Sequence, residues 1–202
     1  MVNLAINGIG RIGKLVLKLL ISKNFNVKYL NELNGNTNSL IHSIEFDSIH
    51  GKWQANIEEG KDEIKIDGKS IKATFVENIN DLSLDNVDIM IDCTGVYKSS
   101  SKLQKYFDKG VKKVIVSAPI NEDNIVNIAY GINHNIYKPK EHNIITGASC
   151  TTNCIAPIIK VLHENIGIKH GSITTIHNLT NSQTLVDIPH NDLRRGRSAI
   201  NN

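Results

Sequence analysis

The chain has 202 residues, 40% of them hydrophobic and 21% charged, with a formal net charge of +3. These proportions fit a soluble globular protein of one full domain and part of another. No apolar run approaches the ~18 to 20 residues that a bilayer span needs, and no charged-then-apolar leader opens the chain, so a membrane or secreted protein is not expected. The lysines are dispersed, which argues against a nucleic-acid-binding stripe. The arginines are not dispersed. There are four, Arg11 in a glycine-rich turn and Arg194, Arg195 and Arg197 close together near the end. Planar donors placed so sparingly suggest anion contacts, the alternative being a solvated basic loop. Three cysteines (Cys93, Cys150, Cys154) are an odd number without a paired framework, and predict a reducing, cytoplasmic setting.

In chain order, Leu4-Ala5-Ile6 predicts a first strand that runs into Asn7-Gly8-Ile9-Gly10-Arg11-Ile12-Gly13. Lys14 to Ile21 follows as a largely buried helix, and Asn26 to Asn31 as a second strand. That is a strand, turn, helix, strand unit of the length parallel sheets require. Residues 53 to 76 alternate apolar and polar, and Asp67-Gly68 between Ile64-Lys65-Ile66 and Ile71-Lys72-Ala73 marks a hairpin. Val87 to Asp92 and Val114 to Val116 predict further buried strands. Between them Leu103, Tyr106 and Phe107 share a helical face that stops at Gly110. Another strand ends at Ile144-Ile145, and a domain boundary is expected near residue 149. After it, Ile155, Ile158, Ile159 and Leu162 form the apolar stripe of a helix. A strand at Ile173 to Ile176 and a polar loop complete the chain. The residues after Cys150 are too few to close a second core. With no stop signal at Ile200-Asn201-Asn202, the chain is expected to be a fragment.

The turn Gly8-x-Gly10-x-x-Gly13 lies between a strand and a helix, the context that a dinucleotide fingerprint requires. The first glycine allows the tight turn, the second lets the pyrophosphate approach, and the third lets helix and strand pack closely. The helix N-terminus supplies N–H groups to the phosphates. Glu32 closes the second strand, where a carboxylate is expected to bind the ribose hydroxyls and to favour NAD over NADP. Thr94-Gly95 and Ser117-Ala118-Pro119 follow strand ends, where a ligand crevice is expected. The predicted architecture is α/β, a Rossmann-type doubly wound parallel sheet.

Ala148-Ser149-Cys150-Thr151-Thr152-Asn153-Cys154 places Cys150 at or near the start of a helix, where the dipole eases ionisation of a thiol. An imidazole nearby would stabilise the thiolate and exchange a proton. Of eight histidines, His177 stands out because it ends a predicted strand before a polar loop. Cys154 is one turn beyond Cys150, where a disulfide would be strained. A zinc site lacks a fourth ligand, so no metal is expected. Cys154 reads as an inert helix-face thiol and Cys93 as a buried strand-end residue.

Three blocks, Ile6-Asn7-Gly8-Ile9-Gly10-Arg11-Ile12-Gly13, Ser149-Cys150-Thr151-Thr152-Asn153-Cys154 and Thr174-Thr175-Ile176-His177, resemble the glyceraldehyde-3-phosphate dehydrogenase family. Phe46-Asp47-Ser48-Ile49-His50-Gly51 and Val114-Ile115-Val116-Ser117-Ala118-Pro119 carry the same likeness. The resemblance implies an NAD-binding Rossmann domain at 1–149 and the truncated start of an α+β catalytic domain at 150–202. It implies NAD contacts from Gly8, Gly10, Arg11, Ile12, Gly13, Glu32, Thr94, Gly95 and Ser117. Cys150 is then the nucleophile and His177 the base. Ser149 and Thr151 hold inorganic phosphate, and Thr180 holds the substrate's C3 phosphate with Arg194, or in reserve Arg197. The implied reaction is oxidative phosphorylation of glyceraldehyde 3-phosphate through a thioester, in a glycolytic homotetramer. Some residues depart from the usual pattern. Asn31-Glu32 resembles erythrose-4-phosphate dehydrogenase, while Trp53 and the stretch from His177 to Thr184 resemble the branch associated with arsenate resistance, in which arsenate replaces phosphate. A non-catalytic NAD-binding fragment is the competing reading. A Cys–His hydrolase has no use for the Gly8 to Glu32 unit.

Overall fold

A computed structural model describes residues 1–180 and 183–201; Asn181 and Ser182, within the stretch read from His177 to Thr184, and Asn202 lie outside the described residues. The first strand, β1 (Asn3–Asn7), alternates its side chains so cleanly that Ala5 and Ile6 enter two different cores. It leads through the glycine turn into α1 (Arg11–Ser22), then β2 (Asn26–Asn31). Helix α1 buries one face, with Gly13, Leu17 and Ile21 inward, rather than being largely buried; Leu19 stays 59% exposed.

A second helix, α2 (Thr37–Glu45), was not evident from the periodicity. Asn36 starts it with a capping box: its side chain accepts from the Ser39 N–H while the Ser39 hydroxyl accepts from the Asn36 N–H. Leu40 and Ile44 form its buried face. The short pair β3 (Phe46–Asp47) and β4 (Gly51–Lys52) follows, then β5 (Ile57–Gly60), β6 (Glu63–Ile66) and β7 (Lys69–Thr74). Strands β6 and β7 form the expected hairpin across Asp67-Gly68, both at positive φ (48° and 78°), as a primed turn requires. Next come β8 (Ile89–Asp92), α3 (Ser100–Phe107), β9 (Lys113–Val116), β10 (Val126–Asn127), β11 (Ile144–Thr146) and α4 (Cys150–Asn165).

Among the described residues nine strands form one sheet, in the order β10-β11-β9-β8-β1-β2-β7-β6-β5. The pairings from β10 through to β7 are parallel, and the last two are antiparallel. The direction of winding reverses between β1 and β8, the topological switch point at which such sheets bind ligands beyond their carboxyl ends. Both faces are covered. Met90, Val114 and Val116 pack with Leu103 and Tyr106 of α3, while Ile91 and Leu30 pack with Leu17 of α1 and Leu40 and Ile44 of α2. Leu17, Leu30 and Ile44 are wholly buried, each contributing about 1.5–3 kcal/mol.

Met1–Glu164 forms one compact unit and Asn165–Asn202 another. In the first, α4 has no buried residue; Ile158 and Leu162 are 57% and 43% exposed, so the apolar stripe exists but is uncovered. In the second, Ile173–Ile176 is not a strand: residues 171–180 are irregular. The β-branched run has strand propensity, but a ladder needs a neighbour, and the described part of this unit contains none. Residues 184–199 fold into a closed loop. Ala199 N–H donates to the Thr184 carbonyl, Ile188 N–H to Gly196, and a short 3₁₀ turn (Leu193–Arg195) sits at its tip. No helix among the described residues is long and apolar enough to cross a membrane.

Candidate active site

The glycine turn is built from close approaches. A Cβ on Gly13 would lie 1.9 Å from the Gly8 carbonyl oxygen, and one on Gly8 would lie 2.8 Å from the Thr94 nitrogen. Side chains at these two positions would push helix from strand, and the turn from the loop after β8. Gly10 is different: apart from its neighbours in the chain, nothing in the protein lies within 4 Å of its missing Cβ. Nothing in the protein itself requires glycine there, so the open space fits a ligand that approaches the backbone. Gly10 is also the N-cap of α1, offers no capping side chain, and is followed by a first turn without acidic residues. This end of the helix is therefore suited to an anion.

Glu32 approaches from the neighbouring strand. Its Oε2 accepts from the Ile9 N–H (2.7 Å) and its Oε1 from the Leu33 N–H (2.8 Å), while Gly8 N–H donates to the Asn31 carbonyl. The carboxylate is thus fixed beside the turn. Across the switch point, Thr94 donates to Asp92 Oδ1 from both its N–H (3.0 Å) and its hydroxyl (2.8 Å). Burial holds the Asp92 carboxyl above the usual carboxylate range in spite of those bonds and one from Tyr106. Ser117 N–H donates to the Asp92 carbonyl, so the loops after β8 and β9 are tied together. Arg11 opens α1, Ile12 beside it is half exposed, and Gly95 is exposed at the loop surface. The predicted cofactor residues thus gather at the carboxyl ends of β1, β2, β8 and β9.

Cys93, in the same region, is only partly exposed, and burial pushes its thiol up to about 12. A thiol held protonated is no nucleophile. Cys150 differs in position: it is exposed and is the first residue of the sixteen-residue α4. Hydroxyl residues flank it in sequence, and their side chains bond to one another. Ser149 Oγ accepts from the Thr152 N–H at 3.0 Å, an N-cap bond, and lies 3.0 Å from Thr151 Oγ1 and 2.7 Å from Thr152 Oγ1. Asn153 Nδ2 donates to the Gly147 and Ser149 carbonyls and locks the entry to the helix. Ala148, just before, has a φ of +57° while buried, an uncommon conformation for a residue with a Cβ. The sequence reading missed it, and no residue type at this position announces it.

In the second unit, His177 is exposed and its Nδ1 lies 2.6 Å from the Asn178 carbonyl oxygen. A carbonyl only accepts, so this contact requires a proton on Nδ1. Thr180 is half buried, with its N–H and hydroxyl directed to Gln183 Oε1 (2.9 and 3.3 Å). Arg194 forms a bidentate pair with Asp192 (3.0 and 3.1 Å), which holds that carboxyl below the usual range. Arg195 lies 3.8 Å from the same carboxylate, and Arg197 is 3.2 Å from Asp187.

A glycine cradle at the switch point, a carboxylate at the end of β2 and a cysteine heading a helix are the parts that a dinucleotide-dependent oxidoreductase uses. Comparison with known proteins agrees. Residues 2–100 match the glyceraldehyde 3-phosphate dehydrogenase NAD-binding domain, and residues 149–202 match the C-terminal domain of the same enzyme. The chain is 42% identical over 200 residues to glyceraldehyde-3-phosphate dehydrogenase 3 of Nostoc sp. (strain PCC 7120), covering 98% of this chain and 59% of that protein. It is 41% identical over 205 residues to glyceraldehyde-3-phosphate dehydrogenase 2 of Streptomyces avermitilis, covering 100% and 61%. The Thermotoga maritima glyceraldehyde-3-phosphate dehydrogenase is 41% identical over 207 residues, again 100% and 61%. The chain belongs to the glyceraldehyde-3-phosphate dehydrogenase family of NAD-dependent oxidoreductases, and its cofactor is NAD. It spans about three fifths of the length of these relatives.

Proposed function

We propose that this chain carries the cofactor cradle and the nucleophile of a phosphorylating aldehyde dehydrogenase acting on glyceraldehyde 3-phosphate. The observation that carries the reading is the exposed Cys150 at the head of α4, between Ser149 and Thr151 in sequence, in a chain that also has the Gly8–Gly13 cradle and Glu32. Residues 1–149 bind the cofactor, and 150–202 begin the catalytic domain.

In this scheme the Cys150 thiolate, favoured by the N-terminal dipole of α4, adds to the aldehyde carbon. His177 Nε2 takes the proton of the resulting hydroxyl as the carbon is oxidised. NAD, which the Gly8–Gly13 turn and Glu32 would hold, would supply a hydride acceptor for this oxidation. The thioester left on Cys150 is attacked by inorganic phosphate held by Ser149 and Thr151, which frees the thiolate. Thr180 and Arg194 receive the C3 phosphate of the substrate, with Arg197 as the alternative, and a phosphate there displaces the Asp192 carboxylate from Arg194. Gly8, Gly10, Arg11, Ile12, Gly13, Glu32, Thr94, Gly95 and Ser117 hold the dinucleotide. The uncovered apolar stripe of α4 is a surface for further packing, and a homotetramer is expected of the full-length family rather than of this chain alone. Three cysteines, none of them in a disulfide among the described residues, fit a reducing cytoplasm.

A stopped-flow mix of the chain with NAD and glyceraldehyde 3-phosphate tests the proposal. The expected result is a burst of NADH of up to one equivalent per chain, abolished in Cys150→Ser while NAD still binds. A chain that binds NAD and gives no burst would be a nucleotide-binding module only. Parallel runs with erythrose 4-phosphate, and with arsenate in place of phosphate, identify the aldehyde and the acceptor.

A further inference from the structure

A run of polar side chains, all but one of them buried, crosses the carboxyl ends of four neighbouring strands. Asn7, Asn31, Thr74 and Asp92 are the last residues of β1, β2, β7 and β8, and the register pairs Asn7 with Asn31 and with Asp92, and Asn31 with Thr74. Thr74 Oγ1 donates to Asn31 Oδ1 (2.9 Å), Asn31 Nδ2 to Asn7 Oδ1 (2.8 Å), and Asn7 Nδ2 to the Tyr106 hydroxyl oxygen (2.6 Å). The Tyr106 hydroxyl then donates to Asp92 Oδ2 (2.7 Å). Every donor points the same way, and Asp92 ends the run as an acceptor, bonded on its other oxygen to Thr94.

Asn7, Asn31, Asp92 and Tyr106 are 4%, 6%, 0% and 0% exposed. Polar groups so deep are costly unless each is bonded, and a fully bonded run is rigid. Packing alone does not explain the run, because apolar side chains would fill the same space. Its members have functional neighbours. Gly8 follows Asn7, Glu32 follows Asn31, and Thr94, two residues past Asp92, rests against Gly8.

We propose that the Asn31–Asn7–Tyr106–Asp92 run is a positioning device that fixes the glycine turn against the loop after β8, and that Tyr106 and Asp92 thereby set NAD affinity without touching the dinucleotide. This rests on the turn being the NAD site. Tyr106→Phe keeps the ring and removes the hydroxyl; Asp92→Asn keeps the shape and removes the charge.

The test measures NAD dissociation constants of the 202-residue chain and both variants by calorimetry, with amide resonances of the ligand-free proteins as a second readout. The expected result is about a tenfold weaker Kd in each variant, about 1.4 kcal/mol. Shifted Gly8, Ile9 and Thr94 amides should accompany it, with Asp67 and Gly68 in the distant hairpin unmoved. Kd values within twofold of wild type, or unshifted turn amides, would overturn the proposal even if the melting temperature fell. If Tyr106→Phe does not fold, Asp92→Asn decides by the same two criteria. Failure of the wild-type chain to bind NAD would instead count against the turn as the NAD site.

Discussion

Ala148 holds a left-handed backbone (φ +57°) one residue before Ser149 and two before the proposed nucleophile. That conformation costs a residue with a Cβ about 1–2 kcal/mol and is hardest on a branched one. Ala148→Gly is therefore expected to change stability by less than about 1 kcal/mol, since relief of strain offsets a lost methyl and a freer unfolded chain. Ala148→Val should cost more than about 2 kcal/mol, because the branch clashes with its own backbone in a buried position. Urea unfolding of the three proteins checks this, and equal losses for both substitutions would remove the strain argument. Single residues of this kind were unequally legible in the sequence. Gly8, Gly10, Gly13 and Glu32 were readable because their spacing is local to one strand–turn–helix–strand unit. The Tyr106–Asp92 bond was not, because a tyrosine on a helix face and an aspartate at a strand end meet only once the sheet and helix have docked.

At the level of elements, the β6–β7 hairpin isolates a backbone effect. Apart from its neighbours in the chain, nothing lies within 4 Å of a Cβ built on Gly68, whose φ is +78°. Gly68→Ala should thus lose about 1–2 kcal/mol from φ alone, with no steric contribution; thermal unfolding that leaves the variant at the wild-type midpoint would contradict it. The hairpin was legible because Asp67-Gly68 and the flanking alternation encode it locally. Helix α2 was overlooked because its apolar positions are few, although the Asn36–Ser39 capping box marks its start. The strand expected at Ile173–Ile176 failed for the opposite reason: propensity without a partner does not make a ladder. Helix α4 was found from its periodicity, but periodicity cannot say what covers a face, and Ile158 and Leu162 are left open.

For the molecule as a whole, Asp47 and Asp88 are two carboxylates that contribute to the acid limit of stability. Asp47, hydrogen-bonded to Lys14 (2.6 Å) and to the His50 and Ile49 N–H groups, is held well below the usual carboxylate range. Asp88 is held down by the Asn3 N–H and Lys112. Lowered values mean stability that is fully present above the ordinary range near pH ~4 and is lost as pH falls through the folded values. Asp92 acts in the opposite sense. Raised by burial, it binds its proton more tightly when folded, so stability declines as pH rises from the ordinary range through its folded value. Melting curves against pH should show a falling acid limb that Asp47→Asn and Asp88→Asn flatten; an unchanged limb in both would show that neither bond contributes. The sheet itself has a last consequence. Its outer strands are the four-residue β5, with two glutamates, and the two-residue β10. Neither offers a long, flat, apolar row of free amide and carbonyl groups, so the rim gives little template for fibril-like stacking of one chain on the next.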